Sequence, residues 1–246
     1  MMNKQEWVQE ETGFVFIHGA GLKGKIWSKV AERLDQPCLL VEYPLVKDSV
    51  ESEQELSLAE YVTHMKRQVD EWGVRRFIIV AHSLGGVLAL RLASGLGDRL
   101  AGFVAVSAAI PKNGGSFLSV LPLPKRILMK AILSKMGTKP PASAIRAGLC
   151  NDLSPEHAEE VVQGFKPESI RVYTDRTEVS VPDVPRLYIT LEDDKEFTPS
   201  FQKKMISNLS PQSVRSLKTG HLPMLSEPDG LSHILQEFSS DVEGIC

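Results

Sequence analysis

The sequence predicts an α/β protein with a doubly wound, mostly parallel sheet and a helical insert. Six short apolar runs show almost no period-2 alternation, which is typical of strands buried on both faces. Helical patterns alternate with these runs, as in βαβ units. The predicted strands are residues 14–18, 38–41, 77–80, 103–106, 187–190 and 214–217, and the predicted core helices are 26–34, 58–72, 84–94, 199–209 and 231–238.

A long interval between two predicted strands indicates the insert. About 80 residues separate Ser107 from Leu187, far more than an ordinary crossover of roughly a dozen residues needs. Residues 124–136 carry apolar side chains at helical spacing, and Ser154 with Pro155 provides an N-cap and a first-turn proline. We therefore expect residues 1–111 and 186–246 to form the core and residues 112–185 to form a helical cap at the carboxyl edge of the sheet, where ligands of such sheets bind.

Composition excludes several classes of protein. The 246 residues include 31 acidic and 28 basic side chains, giving a formal charge of −3. This mild charge gives no sign of the basic surface that nucleic-acid binding requires. No apolar stretch approaches the ~20 residues of a membrane span, so no stable membrane insertion is expected. Cys38, Cys150 and Cys246 are odd in number, widely spaced and never arranged as C-x-x-C, so neither a disulfide framework nor a zinc site is suggested. We expect a cytoplasmic protein without cofactor or metal, as a monomer or a homodimer.

The segment from Ala81 to Gly86 carries the strongest chemical signal. It places Ser83 between a strand and a helix, with Ala81 two residues before it and Gly85 two residues after it. Such a nucleophile elbow needs small residues at both positions, because the sharp turn brings backbone against backbone. Ala81 replaces the more usual glycine. The alternative is a serine in an ordinary strand-to-helix turn.

A nucleophilic serine needs a base, and the base needs an acid to orient it. The strand at 187–190 is followed by Asp193 and Asp194, and the strand at 214–217 is followed by His221. Serine, acid and histidine in this chain order, each after a strand, match one known arrangement of a triad. The alternative for His221 is a surface histidine, and the residues alone leave both aspartates open as the acid.

The triad also requires donors for the oxyanion of a tetrahedral intermediate, each worth about 3–4 kcal/mol of barrier. The backbone amide of Leu84, directly after the serine, is the first candidate. The turn after the first strand, from His18 to Gly21, is expected to supply the second through Ala20. The alternative for this segment is a plain turn.

From about residue 14 to residue 238, the chain resembles the small methylesterase and hydroxynitrile lyase family of α/β-hydrolases. The similar segments are the elbow, His18-Gly19-Ala20 with Trp27, Cys150 to Glu156, Asp194 to Gln202, and His221 to Pro228. The resemblance implies an α/β-hydrolase fold with a helical cap inserted after the sixth strand. It also implies that Asp194, rather than Asp193, is the acid beside Ser83 and His221.

The resemblance further favours the esterase branch of that family. The cyanohydrin-cleaving lyases place a threonine in the first turn and a lysine directly after the histidine, where this chain has Gly19 and Leu222. We expect a serine carboxylesterase acting on small to medium hydrophobic esters, with small-molecule esters as its binding partners. The side chains expected to roof the pocket are Leu118, Leu121, Leu123, Leu128 and Met136.

Other interpretations of the sequence stay open. Residues 19–24 form a literal G-x-G-x-x-G with Glu42 ending the next strand, as in an NAD(P)-binding oxidoreductase. A ligand receptor could retain the same triad.

Residues 112–146 hold seven basic side chains and no acidic one, which could attract anionic substrates or a membrane surface. We favour a simpler arrangement there, a helix with its apolar face on the pocket and its lysines in water.

Overall fold

The computed structural model describes residues 12–44 and 56–244, and within them a six-stranded sheet. Every neighbouring pair of strands is parallel, in the order β2-β1-β3-β4-β5-β6. The strands are β1 Gly13–Ile17, β2 Cys38–Leu40, β3 Phe77–His82, β4 Leu100–Val106, β5 Arg186–Leu191 and β6 Ser213–Leu217.

Eleven α-helices accompany these strands in the described ranges, together with two short 3₁₀ turns at Gly24–Trp27 and Gly97–Arg99. None of these helices is long and apolar enough to cross a membrane. The helices are α1 Ser28–Ala31, α2 Leu58–Glu71, α3 Gly85–Ala93, α4 Phe117–Val120, α5 Leu123–Met136, α6 Ala142–Gly148, α7 Pro155–Gly164, α8 Arg171–Thr174, α9 Pro199–Leu209, α10 Pro223–Ser226 and α11 Pro228–Gly244.

Both faces of the central strands are covered, which explains why β1, β3 and β4 are apolar on successive residues. In β1, Phe14 and Phe16 pack into the core beneath α1 and α11. Val15 and Ile17 pack into the opposite core, beneath α2, α3 and α9. All four side chains are fully buried. The predicted doubly wound parallel sheet is confirmed. Continuous apolar runs in the sequence had indicated it, because they are typical of strands buried on both faces.

The observed elements differ from the predicted ones mainly at their ends. Strand β4 begins at Leu100 rather than at residue 103, and Gly102 lies within it. A Cβ at Gly102 would lie 3.0 Å from the Phe238 ring of α11, so the glycine serves close packing and does not end the strand. The pattern at 26–34 divides into a 3₁₀ turn and the short α1.

The helical insert lies between β4 and β5 and contains α4 to α8. Strand β4 is the fourth strand in chain order among the described residues, so the insert follows the fourth and not a sixth strand of that part of the chain. Two isolated backbone bridges tie the insert together and to the core: Gly21 pairs with Lys166, and Gly115 pairs with Thr177. The proposed boundaries of core and cap stay predictions, and residues 1–11, 45–55 and 245–246 lie outside the described chain.

The prediction that five apolar side chains cover the substrate pocket is wrong for three of them. Leu118 is buried and Leu121 is half-buried, as expected. The other three side chains are more than 60% exposed, so the apolar face of α5 points away from the protein. These three are Leu123, Leu128 and Met136.

The rotation of α5 about its own axis explains this outcome. Leu133 is its only buried hydrophobic residue, and the half-buried Arg126 donates to the carbonyl oxygen of Ser119 at 3.1 Å. Arg126 and Leu133 are seven residues apart and therefore lie on the same face of the helix, two turns from each other. Because this face packs on the protein, the apolar residues on the other faces are left in solvent.

Candidate active site

Ser83 lies on the sharp turn between β3 and α3, with a φ of 53° that non-glycine residues seldom adopt. The turn is held by backbone bonds from Ser83 N to Val106 O and from Ala109 N to Ser83 O. A Cβ at Gly85 would lie 2.5 Å from the carbonyl oxygen of His18. The small residue predicted two positions after the serine is therefore required by the close approach of the β1 backbone.

Three side chains from three strand ends form a hydrogen-bonded chain. Ser83 Oγ lies 2.9 Å from His221 Nε2, and His221 Nδ1 lies 2.8 Å from Asp194 Oδ2. An ionised carboxylate only accepts, so Nδ1 carries the proton and Nε2 is free to accept from the serine hydroxyl. This is the tautomer that a general base beside a serine needs.

Asp194 is buried, and its carboxylate accepts four hydrogen bonds. Its Oδ1 accepts the backbone N–H groups of Glu196 at 2.8 Å and Phe197 at 2.9 Å, and its Oδ2 accepts the Ser107 hydroxyl at 2.8 Å as well as His221. Burial raises the pKa of the Asp194 carboxyl, but these hydrogen bonds outweigh burial and hold the pKa below its ordinary value. The carboxylate is therefore ionised where it meets the imidazole.

Ser107 was not identified from the sequence. It directly follows β4, is fully buried and has a φ of 38°. That backbone conformation is held by its N–H, which donates to Ile189 O at 2.9 Å. The available signal was its place at a strand end on the same sheet edge as Ser83 and Asp194.

The structure separates the two candidate acids. Asp193 is exposed, and its backbone N–H donates to Thr219 O at 3.0 Å, which ties the acid loop to the histidine loop. Only Asp194 contacts His221. The geometry thus agrees with the aspartate that the resemblance implied.

The helical insert positions the histidine loop. Asp152 Oδ2 accepts the Gly220 N–H at 2.5 Å, and Asn151 Nδ2 donates to Asp193 O at 3.1 Å. A Cβ at Gly220 would lie 2.3 Å from Asp152 Oδ1, so a side chain at this position would force the two segments apart. One turn of the insert therefore contacts the loops that carry both the base and the acid.

Two further buried histidines surround the triad. His82 Nε2 donates to the His221 carbonyl oxygen at 2.8 Å, and burial lowers the pKa of His82 well below its ordinary value. Burial also lowers the pKa of His18 to about 4, although its bond to Gly19 O partly offsets this. Both rings are neutral near pH 7, so His221 is not flanked by additional positive charge.

The candidate oxyanion donors lie on either side of the serine turn. Ala20 follows β1, and Leu84 directly follows Ser83 at the start of α3. Neither backbone N–H donates a hydrogen bond to another described residue. Backbone donors without an internal partner are what an oxyanion hole requires.

Glu168 is a second buried carboxyl close to this turn, and sequence analysis missed it. Its Oε1 accepts the Gly21 N–H at 2.6 Å, and its Oε2 accepts the Tyr173 hydroxyl at 3.3 Å. Burial raises the pKa of Glu168 to about 7 despite these bonds. Lys166 N also donates to Gly21 O at 2.9 Å, so the insert holds both backbone groups of the residue after Ala20.

Aromatic side chains line one side of the triad. The Phe197 ring stands edge-on to the His221 imidazole with centroids 5.4 Å apart, and it contacts Phe117 of α4 and Phe201 of α9. Phe117 in turn packs edge-on against Tyr173. This side of the imidazole is therefore apolar and is shared between core and insert.

The glycine-rich turn at residues 19–24 has a packing explanation. A Cβ at Gly21 would lie 2.0 Å from the Phe165 ring of the insert, and a Cβ at Gly19 would lie 2.9 Å from Ser83 Cβ. The space beside Gly21, where a dinucleotide phosphate would approach, is filled by Phe165. These glycines are accounted for without an NAD(P) site.

The chain belongs to the alpha/beta hydrolase family, whose model matches residues 14–234. This agrees with the parallel sheet, the serine turn and the order of the three strand-end residues. The family suggested by the sequence motifs is confirmed at this level.

Several of the proteins that this chain resembles are named as esterases or hydrolases. "Putative methylesterase 13, chloroplastic" from Arabidopsis thaliana is 26% identical over 97% of this chain, which spans only 58% of that relative's length. An extracellular alpha/beta-hydrolase from a Paenibacillus species superposes with a TM-score of 0.82 at 18% identity, covering 92% of this chain and 98% of that one. A methylesterase from Arabidopsis gives 0.75 at 20% identity, covering 94% and 99%.

Proposed function

We propose that this protein is a serine carboxylesterase that hydrolyses small to medium hydrophobic carboxylic esters through an acyl-enzyme. The observation that carries the proposal is the continuous chain from Ser83 Oγ through the His221 imidazole to the Asp194 carboxylate, with contacts of 2.9 and 2.8 Å. The methylesterase name of a relative that matches nearly the whole chain supports the same chemistry.

In the proposed reaction, Ser83 Oγ attacks the acyl carbonyl while His221 Nε2 accepts its proton. The amides of Ala20 and Leu84 donate to the oxyanion, and Asp194 stabilises the imidazolium. The imidazolium then protonates the departing alcohol, leaving the acyl group on Ser83. A water molecule, deprotonated by His221, hydrolyses this ester and releases the acid, so that one ester and one water give one acid and one alcohol.

The surroundings of the triad support an apolar substrate. Phe197 contacts the imidazole, and Phe117 and Tyr173 extend the same aromatic surface into the insert. Leu222, the residue after the base, is fully buried among hydrophobic side chains. The residue after the base therefore supplies no ammonium to stabilise a departing cyanide, which favours ester hydrolysis over nitrile elimination.

The proposal is tested with chromogenic esters from acetate to octanoate, and methyl esters of the same acids, under multiple-turnover conditions. Wild type is compared with Ser83→Ala and with Ser94→Ala, a matched exposed serine at the end of α3. We expect Ser83→Ala to keep the wild-type melting temperature and to lose turnover by at least about 10⁴-fold, since binding and the oxyanion donors alone remain. Ser94→Ala should behave as wild type.

Two results would contradict the proposal. Turnover that survives in Ser83→Ala would mean that another group performs the chemistry. A wild-type protein that releases at most one equivalent of alcohol from every ester and retains its ligand would indicate a receptor built on the same triad.

A further inference from the structure

The outer surface of α5 is the most hydrophobic exposed region of the described chain. Seven large hydrophobic side chains are strongly exposed among the described residues, and all but Val214 lie on this helix. They are 37% to 65% exposed, and we call them the α5 surface: Leu123, Ile127, Leu128, Met129, Ile132 and Met136. A cluster of this kind on a monomer usually marks an interaction site.

Positive charge surrounds the α5 surface. Residues 112–146 contain seven basic side chains and no acidic one, although the whole chain carries a formal charge of −3. Arg146 is paired with Glu159, and Arg126 faces Ser119. The remaining five basic residues are exposed and form no ion pair with any described residue: Lys112, Lys125, Lys130, Lys135 and Lys139.

The arrangement of these lysines relative to the apolar side chains favours a lipid surface. Lys125, Lys130 and Lys135 alternate along α5 with Ile127, Leu128 and Ile132. Long lysine side chains can extend to phosphate groups while neighbouring apolar side chains enter the acyl region. An anionic bilayer satisfies both sets of side chains simultaneously, because it offers acyl chains to the apolar residues and phosphate groups to the lysines.

A second copy of the chain fits this surface less well. A two-fold contact would place the α5 surface of each protomer against the other. The lysines of both copies would then meet without any acidic residue from this segment between them. Like charges brought together in this way oppose association.

We propose that the α5 surface docks the protein reversibly on anionic lipid membranes. Apolar side chains of α5 enter the outer layer of the bilayer, and the surrounding lysines contact lipid phosphates. The contact is peripheral, since none of the described helices could span the bilayer. The proposal is independent of the ester chemistry, because no α5 residue takes part in the triad.

The test measures co-sedimentation of the full chain with vesicles of phosphatidylcholine mixed with phosphatidylserine, and with vesicles of phosphatidylcholine alone. We expect binding to the mixed vesicles that weakens as salt is raised, and at least about tenfold weaker binding to the neutral ones. Leu128→Glu and Lys130→Glu should each weaken binding to mixed vesicles by about tenfold or more.

Matched controls come from β6 and α9, two elements outside α5. Val214→Glu changes the exposed hydrophobic residue outside α5, and Lys203→Glu changes an exposed lysine of α9. Both controls should bind mixed vesicles as wild type does. All four positions are exposed, so melting temperature and ester turnover without vesicles should not change and would report any misfolding.

Three outcomes would overturn the proposal. The first is that wild type binds neither kind of vesicle, and the second is that the α5 variants bind as tightly as Val214→Glu and Lys203→Glu. The third is that light scattering reveals a dimer that Leu128→Glu dissociates, with no vesicle binding by wild type. That last result would assign the α5 surface to a second copy.

Discussion

At the scale of single residues, the site depends on side chains whose neighbours determine their chemistry. Asp193 and Asp194 are adjacent and identical in type, yet one is exposed and the other accepts four hydrogen bonds in a buried position. Residue type alone could not distinguish them. The distinction depends on which carboxylate reaches His221, and this is a property of the turn after β5.

Replacing each aspartate separately tests this assignment. Asp194→Asn should lower kcat by on the order of 10⁴-fold, because an amide NH₂ facing Nδ1 favours the tautomer that cannot accept the serine proton. Asp193→Asn should leave kcat within about twofold of wild type, since its side chain is exposed. Steady-state kinetics on one chromogenic ester measure both effects. The reverse pattern would contradict the proposed acid.

At the scale of elements, two segments of the insert hold core loops in place. The turn at Asn151 and Asp152 contacts the acid and histidine loops, and Glu168 holds Gly21 beside the candidate oxyanion donor. The resemblance had indicated the segment at 150–156 as a cap motif. Its contacts give that motif a physical role, because they connect loops that are far apart in sequence.

Removing the Asp152 contact should lower turnover by displacing the histidine loop, and substrate binding should change little. Asp152→Ala leaves the Gly220 N–H without its acceptor, and we expect kcat to fall by about tenfold with little change in KM. Asp152→Asn retains an acceptor oxygen and should recover most of kcat. A parallel rise in KM, or no difference between alanine and asparagine, would mean that Asp152 does not position the histidine loop.

At the scale of the whole molecule, buried titratable groups couple stability to pH. The folded protein raises the pKa of Glu168 from an ordinary 4.5 to about 7, so between these values the unfolded chain releases a proton that the folded chain retains. The contribution of Glu168 to the free energy of unfolding therefore falls as pH rises from 4.5 to about 7. His18 acts in the opposite direction, because its pKa is lowered from 6.5 to about 4 and it contributes stability that rises with pH.

Glu168→Gln isolates the first of these effects. Relative to wild type, this variant should gain about 2.5 kcal/mol of unfolding free energy between pH 5 and pH 8, because glutamine remains neutral. The His18 effect cancels in the comparison, since both proteins contain that residue. Urea unfolding at the two pH values measures the difference, and Glu160→Gln, at an exposed position on α7, is the matched control. A stability difference that does not change with pH would contradict the role given to Glu168.

Much of the fold and part of the site follow from the sequence, for identifiable reasons. All six strands of the described residues were predicted, and the central ones most directly, because strands buried on both faces need apolar residues at every position. Ser83 and His221 were predicted because their flanking strands place them at the carboxyl edge of the sheet. Ser107 and Glu168 were missed, since nothing local marks a serine or a glutamate that will be buried against a distant loop.

The sequence by itself therefore determined the parallel sheet, the serine turn and the order of the strand-end residues, since these arise from local pattern and chain connectivity. The tertiary structure decided which aspartate meets the imidazole, which insert residues hold the loops and which way α5 faces. The helical pattern of α5 shows an apolar face but not its direction. That direction is set by Arg126 and Leu133 packing on the protein, an outcome of long-range contacts that periodicity does not encode.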